Sequence, residues 1–272
     1  MENNYEECLL DDAKIIMIKI LKEIHRVCEK HNIKYFISDG TLLGAVRHGG
    51  FIPWDDDIDI SMLREDYDKF INIGSNELKE EFFLQTADTD KDYNVYGTPL
   101  KVRHKNSIYR EKWDVYKGRY SGIFVDIFPF DKVPDKELKR KFQFKLSKAL
   151  ITSKLKINFS DGVNLKSIAR SSTQLLGKCI NYKFIRKILH STLKWNNDSK
   201  SNKVKYGVEL VWDLELPIEA IFPLKPIKFE GDTFWGPNDP DKVLSIQYGD
   251  YMKLPPESER ATHAEYIAIK KN

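Results

Sequence analysis

The residues best suited to chemistry are the aspartates in the stretch 55–60, DDDIDI. Side chains alternate across a β-strand, so we predict that Asp55, Asp57 and Asp59 share one face while the two isoleucines point into the core. Carboxylates this close repel one another strongly unless a cation lies between them. Oxygen ligands with no thiolate nearby suit a hard ion, so the pattern predicts a Mg²⁺ or Mn²⁺ site.

A turn just before this run adds a second signal. The predicted strand that precedes it is broken by Asp39 and Gly40, and Thr41 is placed to cap a short helical segment over 42–47. Such a cap predicts free backbone N–H groups from Gly40 to Leu42, where a phosphate binds well. An aspartate run beside Pro and Gly is usually a solvated turn, but the alternating isoleucines and the nearby Gly-Thr turn favour a binding site. The two signals together predict a site for a metal-bound phosphate ester.

A third carboxylate stands alone in an apolar strand. Residues 123–128, IFVDIF, are typical of a buried central strand, yet Asp126 lies in its middle. A buried carboxylate needs a cation or a proton, and either a metal ion or a structural arginine would satisfy that need. Lys101 and Arg103 share a face of another predicted strand, where they would either neutralise a pyrophosphate or face solvent at a sheet edge.

A long and specific sequence similarity covers the same stretches. DGTLLGAVRHGGFIPWDDDIDI (39–60) resembles the signature of the LicD family, phosphotransferases of the nucleotidyltransferase-like fold that also includes the fukutin-related proteins. The resemblance resumes at 101–107, at GIFVDIFPFD (122–131) and at YGDYMKLPP (248–256), and the middle of the chain does not carry it. It implies an α+β fold, with a nucleotidyltransferase-like mixed sheet flanked by helices and a basic α-helical insertion.

The resemblance also implies roles for residues. Asp57, Asp59 and Asp126 are implied as catalytic residues and as the ligands of Mg²⁺ or Mn²⁺. Tyr248 could border the substrate pocket, although packing explains an aromatic side chain at this position nearly as well. The residues implied in substrate binding are Asp39, Gly40, Thr41, Arg47, Lys101, Arg103, Tyr248, Arg260 and His263.

The implied reaction is transfer of phosphocholine, or a similar phospho-alcohol, from a CDP-linked donor to a sugar hydroxyl of a cell-surface polysaccharide or teichoic acid precursor. An acceptor hydroxyl would attack in line and the nucleoside monophosphate would leave, so catalysis rests on positioning and electrostatics. Asp126 and Asp59 are both candidates to accept the hydroxyl proton.

Other activities remain open at this point. They are CDP-ribitol or CDP-glycerol phosphotransfer, nucleotidyl transfer to a small molecule, glycosyl transfer by a DxD enzyme, and binding without catalysis. A DxD glycosyltransferase would carry a long βαβ region before its acidic motif, and the short segment before Asp57 disfavours that class. The presence of Asp57, Asp59 and Asp126 together argues against a non-catalytic module.

Charge is unevenly distributed along the chain. The 272 residues carry a net charge of +3, but residues 132–205 hold 19 Lys or Arg and 4 Asp or Glu. This segment therefore carries +15 and the rest of the chain −12, which predicts an anionic partner. We expect that partner to be a lipid-linked glycan or teichoic acid precursor, with peripheral contact between 132–205 and an anionic membrane. No nucleic-acid motif accompanies the charge, so we expect no nucleic acid.

Composition is that of a globular protein, with 41% hydrophobic residues and no apolar run long enough to span a membrane. The acidic N-terminus lacks a signal pattern, so we expect a cytoplasmic protein, in contact with the inner membrane face. Three cysteines without CxxC spacing predict reduced thiols and no zinc site.

We divide the chain into a catalytic core over 1–131, a basic helical insertion over 132–205, and a segment over 206–272 that completes the core and the substrate pocket. Helical periodicity predicts helices over 9–28 and 182–195. In the first part of the insertion, one stripe of a basic amphipathic helix is predicted to be apolar, made of Phe142, Leu146, Ala149 and Leu150.

Overall fold

The computed structural model describes residues 4–86, 88–90, 93, 100–112, 120–134, 136–153, 172–175, 177, 179–195, 200–207 and 214–271. The chain divides into two compact units. Unit 1 contains Met1–Phe130 and Leu216–Asn272, and unit 2 contains Asp131–Glu215.

The elements follow in chain order, and the first ten lead up to the end of the central strand. They are β1 (Tyr5–Glu7), α1 (Leu10–His31), β2 (Phe36–Ile37), α2 (Asp39–His48), β3 (Asp59–Leu63), α3 (Arg64–Glu77), β4 (Phe82–Gln85), β5 (Leu100–His104), β6 (Ser107–Glu111) and β7 (Phe124–Lys132). The remaining ones are α4 (Glu137–Thr152), α5 (Tyr182–Lys194), β8 (Lys203–Tyr206), β9 (Glu215–Pro217), α6 (Ile218–Ile221), β10 (Lys225–Phe229), β11 (Asp232–Gly236), α7 (Pro240–Tyr248), a 3₁₀ turn (Glu257–Glu259) and β12 (Ala264–Lys270).

The core of unit 1 is a mixed sheet with strand order β2-β3-β7-β5-β4. Strands β3 and β7 run parallel, whereas β2–β3, β5–β7 and β4–β5 are antiparallel. A mixed sheet with helices is what the sequence predicted. The central strand β7 is buried along its length apart from its last residue, which agrees with its nearly uninterrupted apolar sequence.

Helix α1 covers this sheet with an apolar face. Met17, Ile20, Leu21 and Ile24 on that face are fully buried, as their helical spacing requires. The helix predicted over 9–28 therefore exists and runs three residues further, to His31. It ends at Asn32, whose φ of 51° is the left-handed conformation that commonly terminates helices.

A second, antiparallel sheet has the order β1-β12-β6 and brings the C-terminal strand alongside β6. The residues just before β12 thereby return to the acidic loop ahead of β3, as described below. Chain segments more than 200 residues apart in sequence meet there.

In unit 2, helices α4 and α5 are present, and the residues of the predicted apolar stripe on α4 are half-buried or exposed. Phe142 is 57% exposed and Ala149 is exposed, while Gln143 on the neighbouring face is 1% exposed. Gln143 Nε2 donates to the carbonyl oxygen of Thr192 at 2.8 Å. That carbonyl lies in the last turn of α5, where helix geometry supplies no intrahelical donor, so the amide of Gln143 satisfies it and sets which face of α4 turns inward.

Among the described helices, none combines the length and the apolar character that are needed to span a bilayer.

Candidate active site

Asp59, Asp126 and Lys101 form a row across three neighbouring strands. Asp59 in β3 is the register partner of Asp126 in β7, and Asp126 is in turn the partner of Lys101 in β5. Residues that are opposite one another in a sheet point to the same face. The backbone therefore brings these three side chains together on one face of the sheet, although they come from distant parts of the chain.

Asp126 forms an ion pair with Lys101. Lys101 Nζ lies 2.7 Å from Oδ1 and 3.0 Å from Oδ2 of Asp126, and the side chains are 10% and 9% exposed. The sequence left open whether a metal ion or an arginine answers this buried charge, and in the structure a lysine does so. Each carboxylate oxygen has two lone pairs, so the pair with Lys101 leaves Asp126 with acceptor capacity.

The acidic run lies just ahead of β3, which begins only at Asp59 instead of including the whole run. The predicted alternation still holds, because Asp55, Asp57 and Asp59 are half-buried while Asp56 between them is 1% exposed. Asp55 Oδ2 lies against Gly40, where a Cβ atom would approach it to 2.7 Å. A side chain at position 40 would therefore displace the carboxylate of Asp55 from its present position.

The carboxylates of this cluster repel one another. Burial and the charges of Asp55 and Asp126 raise the pKa of Asp57 well above its usual range. Burial and the charges of Asp57 and Asp39 do the same to the pKa of Asp59. Burial and Asp56 raise the pKa of Asp55 to about 6. These carboxylates thus resist ionisation in the protein alone.

This donor set fits the divalent ion that the resemblance implies. Asp57, Asp59 and Asp126 offer only oxygen atoms, and a cation between Asp57 and Asp59 would relieve the repulsion that raises the pKa of both. In the described part of the chain, the group of three residues whose potential ligand atoms all lie within 4.8 Å of one another is Asp56, Asp57 and His263, and the predicted set of Asp57, Asp59 and Asp126 does not meet this distance.

Asp56 already has another task. Its Oδ2 accepts the backbone N–H groups of His263 and Ala264, both at 2.6 Å, and its own carbonyl accepts the hydroxyl of Tyr109 at 2.8 Å. His263 Nδ1 lies 3.6 Å from Asp56 Oδ1. Asp56 therefore attaches the start of β12 to the acidic loop and positions His263 beside the cluster.

The turn before α2 differs from its prediction. The helix begins at Asp39, so Ser38 occupies the capping position, and Leu42 N–H is bonded to Ser38 O at 3.0 Å. The predictions that Thr41 caps the helix and that Leu42 N–H is free are wrong. Thr41 is buried, and its Oγ1 accepts the backbone N–H of Asp59 at 2.8 Å. It thereby fixes the backbone at a predicted metal ligand.

Asp39 connects the site to the C-terminal helix α7. Its φ of 50° is left-handed, a conformation that aspartate adopts more readily than most residues. Its Oδ1 accepts a hydrogen bond from Gln247 Nε2. Burial of the hydroxyl and the charges of Asp39 and Asp59 raise the pKa of the neighbouring Tyr248, although the residue as a whole is 44% exposed.

Cationic and aromatic side chains lie at another border of the site. Arg47 Nη1 donates to Tyr251 O at 2.9 Å, and Arg260 Nε donates to Pro255 O at 3.0 Å. The guanidinium of Arg260 lies over the ring of Trp54, 4.9 Å from its centre. Burial and the charge of Arg260 lower the pKa of Arg47, whereas Asp55 raises it. The two arginines are therefore close enough to repel, which is the arrangement that an anion stabilises.

Arg103 has a different environment from the one that the sequence led us to expect. It is buried, its Nε donates to Gln85 Oε1, and its Nη1 donates to Gly122 O at 2.7 Å. Like Lys101, it lies over the ring of Phe124. Its role in substrate binding stays a prediction.

Several residues at the site were not singled out from the sequence. The two-residue alternation of side chains along a strand puts Asp56 on the opposite side from Asp55 and Asp57. That was the available signal for its different role. Gln247, Trp54 and the backbone of Tyr251 gave no signal, because their relevance depends on contacts with α2 and Arg260 that no local pattern encodes.

The family model described as LicD/FKTN/FKRP, nucleotidyltransferase domain, matches residues 32–162. Lipopolysaccharide cholinephosphotransferase LicD of Haemophilus influenzae is 31% identical over 268 residues, which cover 93% of this chain and 95% of that protein.

Two further relatives match over shorter stretches. An uncharacterized protein of Rickettsia prowazekii is 54% identical over 122 residues, 44% of this chain and 40% of its own length. Ribitol 5-phosphate transferase FKRP of Homo sapiens is 42% identical over 53 residues, 18% of this chain and 11% of its own length.

Proposed function

The chain belongs to the LicD family, and we propose from this that it transfers phosphocholine, or a similar phospho-alcohol, from a CDP-linked donor to a sugar hydroxyl. We propose a cell-surface polysaccharide or teichoic acid precursor as the acceptor. Both named relatives, a cholinephosphotransferase and a ribitol 5-phosphate transferase, transfer an alcohol together with its phosphate. The two relatives therefore have in common that they transfer a phosphorylated alcohol.

The observation that carries the proposal is the row of Asp59, Asp126 and Lys101 on one face of the sheet. Asp57 lies two residues before Asp59, and its pKa responds to Asp126, so the carboxylates act on one another. A binding module that recognised only a neutral sugar would have no use for so costly a group of charges. A site for phosphate esters and their counter-ion explains it.

Asp57, Asp59 and Asp126 would hold a Mg²⁺ or Mn²⁺ ion. When bound, such an ion would neutralise charge on the donor's phosphates and make CMP a better leaving group. The ion pair between Lys101 and Asp126 fixes the position of the Asp126 carboxylate and adds one positive charge next to it. Thr41 keeps the backbone of Asp59 in place for the same purpose.

Arg47 and Arg260 are suited to bind the donor's phosphate groups. Arg47 donates to Tyr251 O and to His48 Nε2, and Arg260 donates to Pro255 O, so the remaining N–H groups of each guanidinium keep a fixed direction. An anion between them would relieve their mutual repulsion, and guanidinium groups match phosphate oxygens well. His263 lies beside the same acidic loop and would contribute to this anion site.

Asp55 is suited to accept the proton of the acceptor hydroxyl. Burial and the charge of Asp56 raise its pKa to about 6 when no ion is bound, so it accepts a proton more readily than an ordinary aspartate. It lies against Gly40 at the start of α2, within the cluster but outside the proposed ligand set. The Asp126 and Asp59 carboxylates, which are proposed as metal ligands, would be weaker bases.

A CDP-ribitol or CDP-glycerol donor is the second candidate, favoured by the short match to the ribitol 5-phosphate transferase. To decide between donors, CDP-choline, CDP-ribitol and CDP-glycerol are each offered with Mg²⁺ and a membrane extract as acceptor, and CMP release is measured. We expect CMP from one donor and labelled phospho-alcohol on the acceptor. Transfer of CMP to the acceptor would instead identify a nucleotidyltransferase.

The matched variants are Asp57→Asn and Asp11→Asn. Asp11 is an exposed aspartate in the first turn of α1, away from the cluster. We expect Asp57→Asn to lower the rate by about 10²-fold or more, and Asp11→Asn to leave it unchanged. If no donor releases CMP, or if both variants behave alike, the proposal is wrong.

A further inference from the structure

Helix α4 of unit 2 exposes large apolar side chains. Leu138 is 84% exposed and Phe142 57% exposed, and the two lie one turn apart on the same face. The ring of Phe142 is parallel to that of Trp195, with 6.4 Å between ring centres, and Trp195 is 45% exposed. These three side chains form one surface, which we call the apolar patch.

The apolar patch is turned outward by the packing of α4. Gln143 and Ser147, both polar, occupy the buried face of the helix. A helix that had only to fold would bury its apolar side chains in their place. The exposed side is thus the one that carries the hydrophobic surface, which is typical of a surface that contacts something apolar.

Lysines surround the patch. Lys139, Lys141, Lys145 and Lys148 on α4 are all exposed. Lys139 Nζ donates to the carbonyl oxygen of Trp195 at 3.4 Å, so one lysine is fixed at the edge of the patch. Lys141 is paired with Glu137 on the exposed surface, where such pairs are weak. The positive charge of this face therefore remains available to an anionic surface.

We propose that unit 2 binds the surface of an anionic lipid bilayer, with the side chains of the apolar patch inserted between headgroups and the surrounding lysines on lipid phosphates. A bilayer satisfies both features at once, since it offers acyl chains below a negatively charged plane. A soluble polyanion would pair with the lysines but would leave Leu138 and Phe142 in water. Long lysine side chains reach the headgroup level while their methylene groups pack beside the patch.

The test uses the full-length protein and co-flotation with vesicles. Vesicles of neutral phosphatidylcholine are compared with vesicles that contain phosphatidylglycerol, at about 0.1 M and about 1 M salt, where the screening length falls from about 10 Å to about 3 Å. We expect binding to the anionic vesicles at the lower salt and a marked loss at the higher salt. Brominated lipids should quench tryptophan fluorescence in the wild type, and less so in Trp195→Phe.

Two variants separate the apolar and the charged contributions. Leu138→Ser with Phe142→Ser is expected to weaken vesicle binding by about tenfold or more, because two side chains lose their apolar insertion. Lys145→Gln should weaken it by about fivefold, the equivalent of one lysine at an anionic surface. The matched controls in unit 1 are Leu9→Ser, at a side chain 75% exposed, and Lys228→Gln, which is also exposed, and neither should change binding.

Thermal unfolding of each variant checks that it is folded. We expect this because all the substituted side chains lie on the surface. Three outcomes would overturn the proposal. One is no binding to anionic vesicles at the lower salt. Another is binding that the serine variants leave unchanged. The third is that a soluble polyanion such as polyglutamate binds as tightly as the vesicles do, competes with them, and binds the serine variants equally well.

Discussion

Lys101 Nζ lies 2.7 Å from Oδ1 of Asp126, and the two residues are register partners across β5 and β7. Both side chains are about nine-tenths buried, so water could solvate neither charge well if its partner were removed. The pair occupies the same sheet face as Asp59. It joins the fold to the proposed metal site, because a change in Lys101 also alters the charge that Asp126 presents.

Removal of Lys101 alone should therefore destabilise the protein strongly. Lys101→Met leaves Asp126 buried without its cation, and we expect a loss of about 3–5 kcal/mol in the free energy of unfolding. The double variant Lys101→Met with Asp126→Asn should regain much of this loss, because the stranded charge is gone. Urea denaturation in the presence of a chelator measures both. Additive effects of the two substitutions would mean that the residues do not interact.

The raised pKa values predict how stability depends on pH. Asp55, Asp57 and Asp59 have a higher pKa in the folded protein than in the unfolded chain, so the folded state binds more protons between the two values. Stability from these groups is thus present at low pH and is lost as pH rises above about 4, continuing through the folded pKa, which is about 6 for Asp55.

Asp57→Asn should consequently raise the melting temperature of chelator-treated protein at about pH 8 and make less difference at about pH 5. Mg²⁺ should stabilise the wild type at the higher pH, because it favours the ionised carboxylates, and should stabilise Asp57→Asn much less. Asp11→Asn serves as the control. Equal shifts in the two variants would contradict the assignment of repulsion to this cluster.

Asp56 is expected to matter for structure more than for ligand binding. Asp56→Ala removes the acceptor of two backbone N–H groups at the start of β12, and we expect a loss of about 3 kcal/mol or more. Hydrogen exchange should show faster exchange of the His263 and Ala264 amides. Asp56→Asn keeps one oxygen acceptor and should be intermediate. Unchanged protection of these amides in Asp56→Ala would show that the contact is not needed.

Thr41 should couple stability to activity. Thr41→Val keeps the shape of the side chain but leaves the N–H of Asp59 without its acceptor, at an expected cost of about 1–3 kcal/mol. CMP release should also fall, because Asp59 is no longer held in place. Thr41→Ser retains the hydroxyl and should be close to wild type in both measurements. If valine and serine behave alike, the hydroxyl is not the feature that matters.

Asp55 and Asp57 are expected to differ in how they affect turnover. Asp55→Asn should lower the rate constant of CMP release by about 10²-fold or more, since it removes the proposed base, while stabilisation by Mg²⁺ is retained. Asp57→Asn should abolish that stabilisation as well. A titration of melting temperature with Mg²⁺ beside the kinetic assay separates the two roles. Loss of the Mg²⁺ response in Asp55→Asn would assign Asp55 to the ligand set instead.

Much of the local structure followed from the sequence. Helical spacing predicted α1, and alternation predicted that Asp55 and Asp57 lie on a different side from Asp56. The apolar run around Asp126 predicted a buried central strand. These features depend on neighbours within a few residues, and the period of the side chains on a helix or a strand is enough to recognise them.

Predictions failed where a distant residue changed the balance. Thr41 has the side chain of a helix cap, but Asp59 N–H needs an acceptor, and the helix starts at Asp39, three residues earlier than predicted. On α4 the sequence did not single out Gln143, yet its side chain turns inward to satisfy a carbonyl of α5. In both cases a buried backbone group needed a hydrogen bond, and that need outweighed a local propensity.

The sequence by itself determined that carboxylates converge near a glycine turn, because residue type and spacing along one strand are local properties. The tertiary structure alone decided that Lys101 pairs with Asp126, 25 residues away, and that Asp56 holds the chain at His263, 207 residues away. Those contacts depend on which strands are neighbours and in what register. Register is set by the packing of the whole sheet, and no single stretch of the chain encodes it.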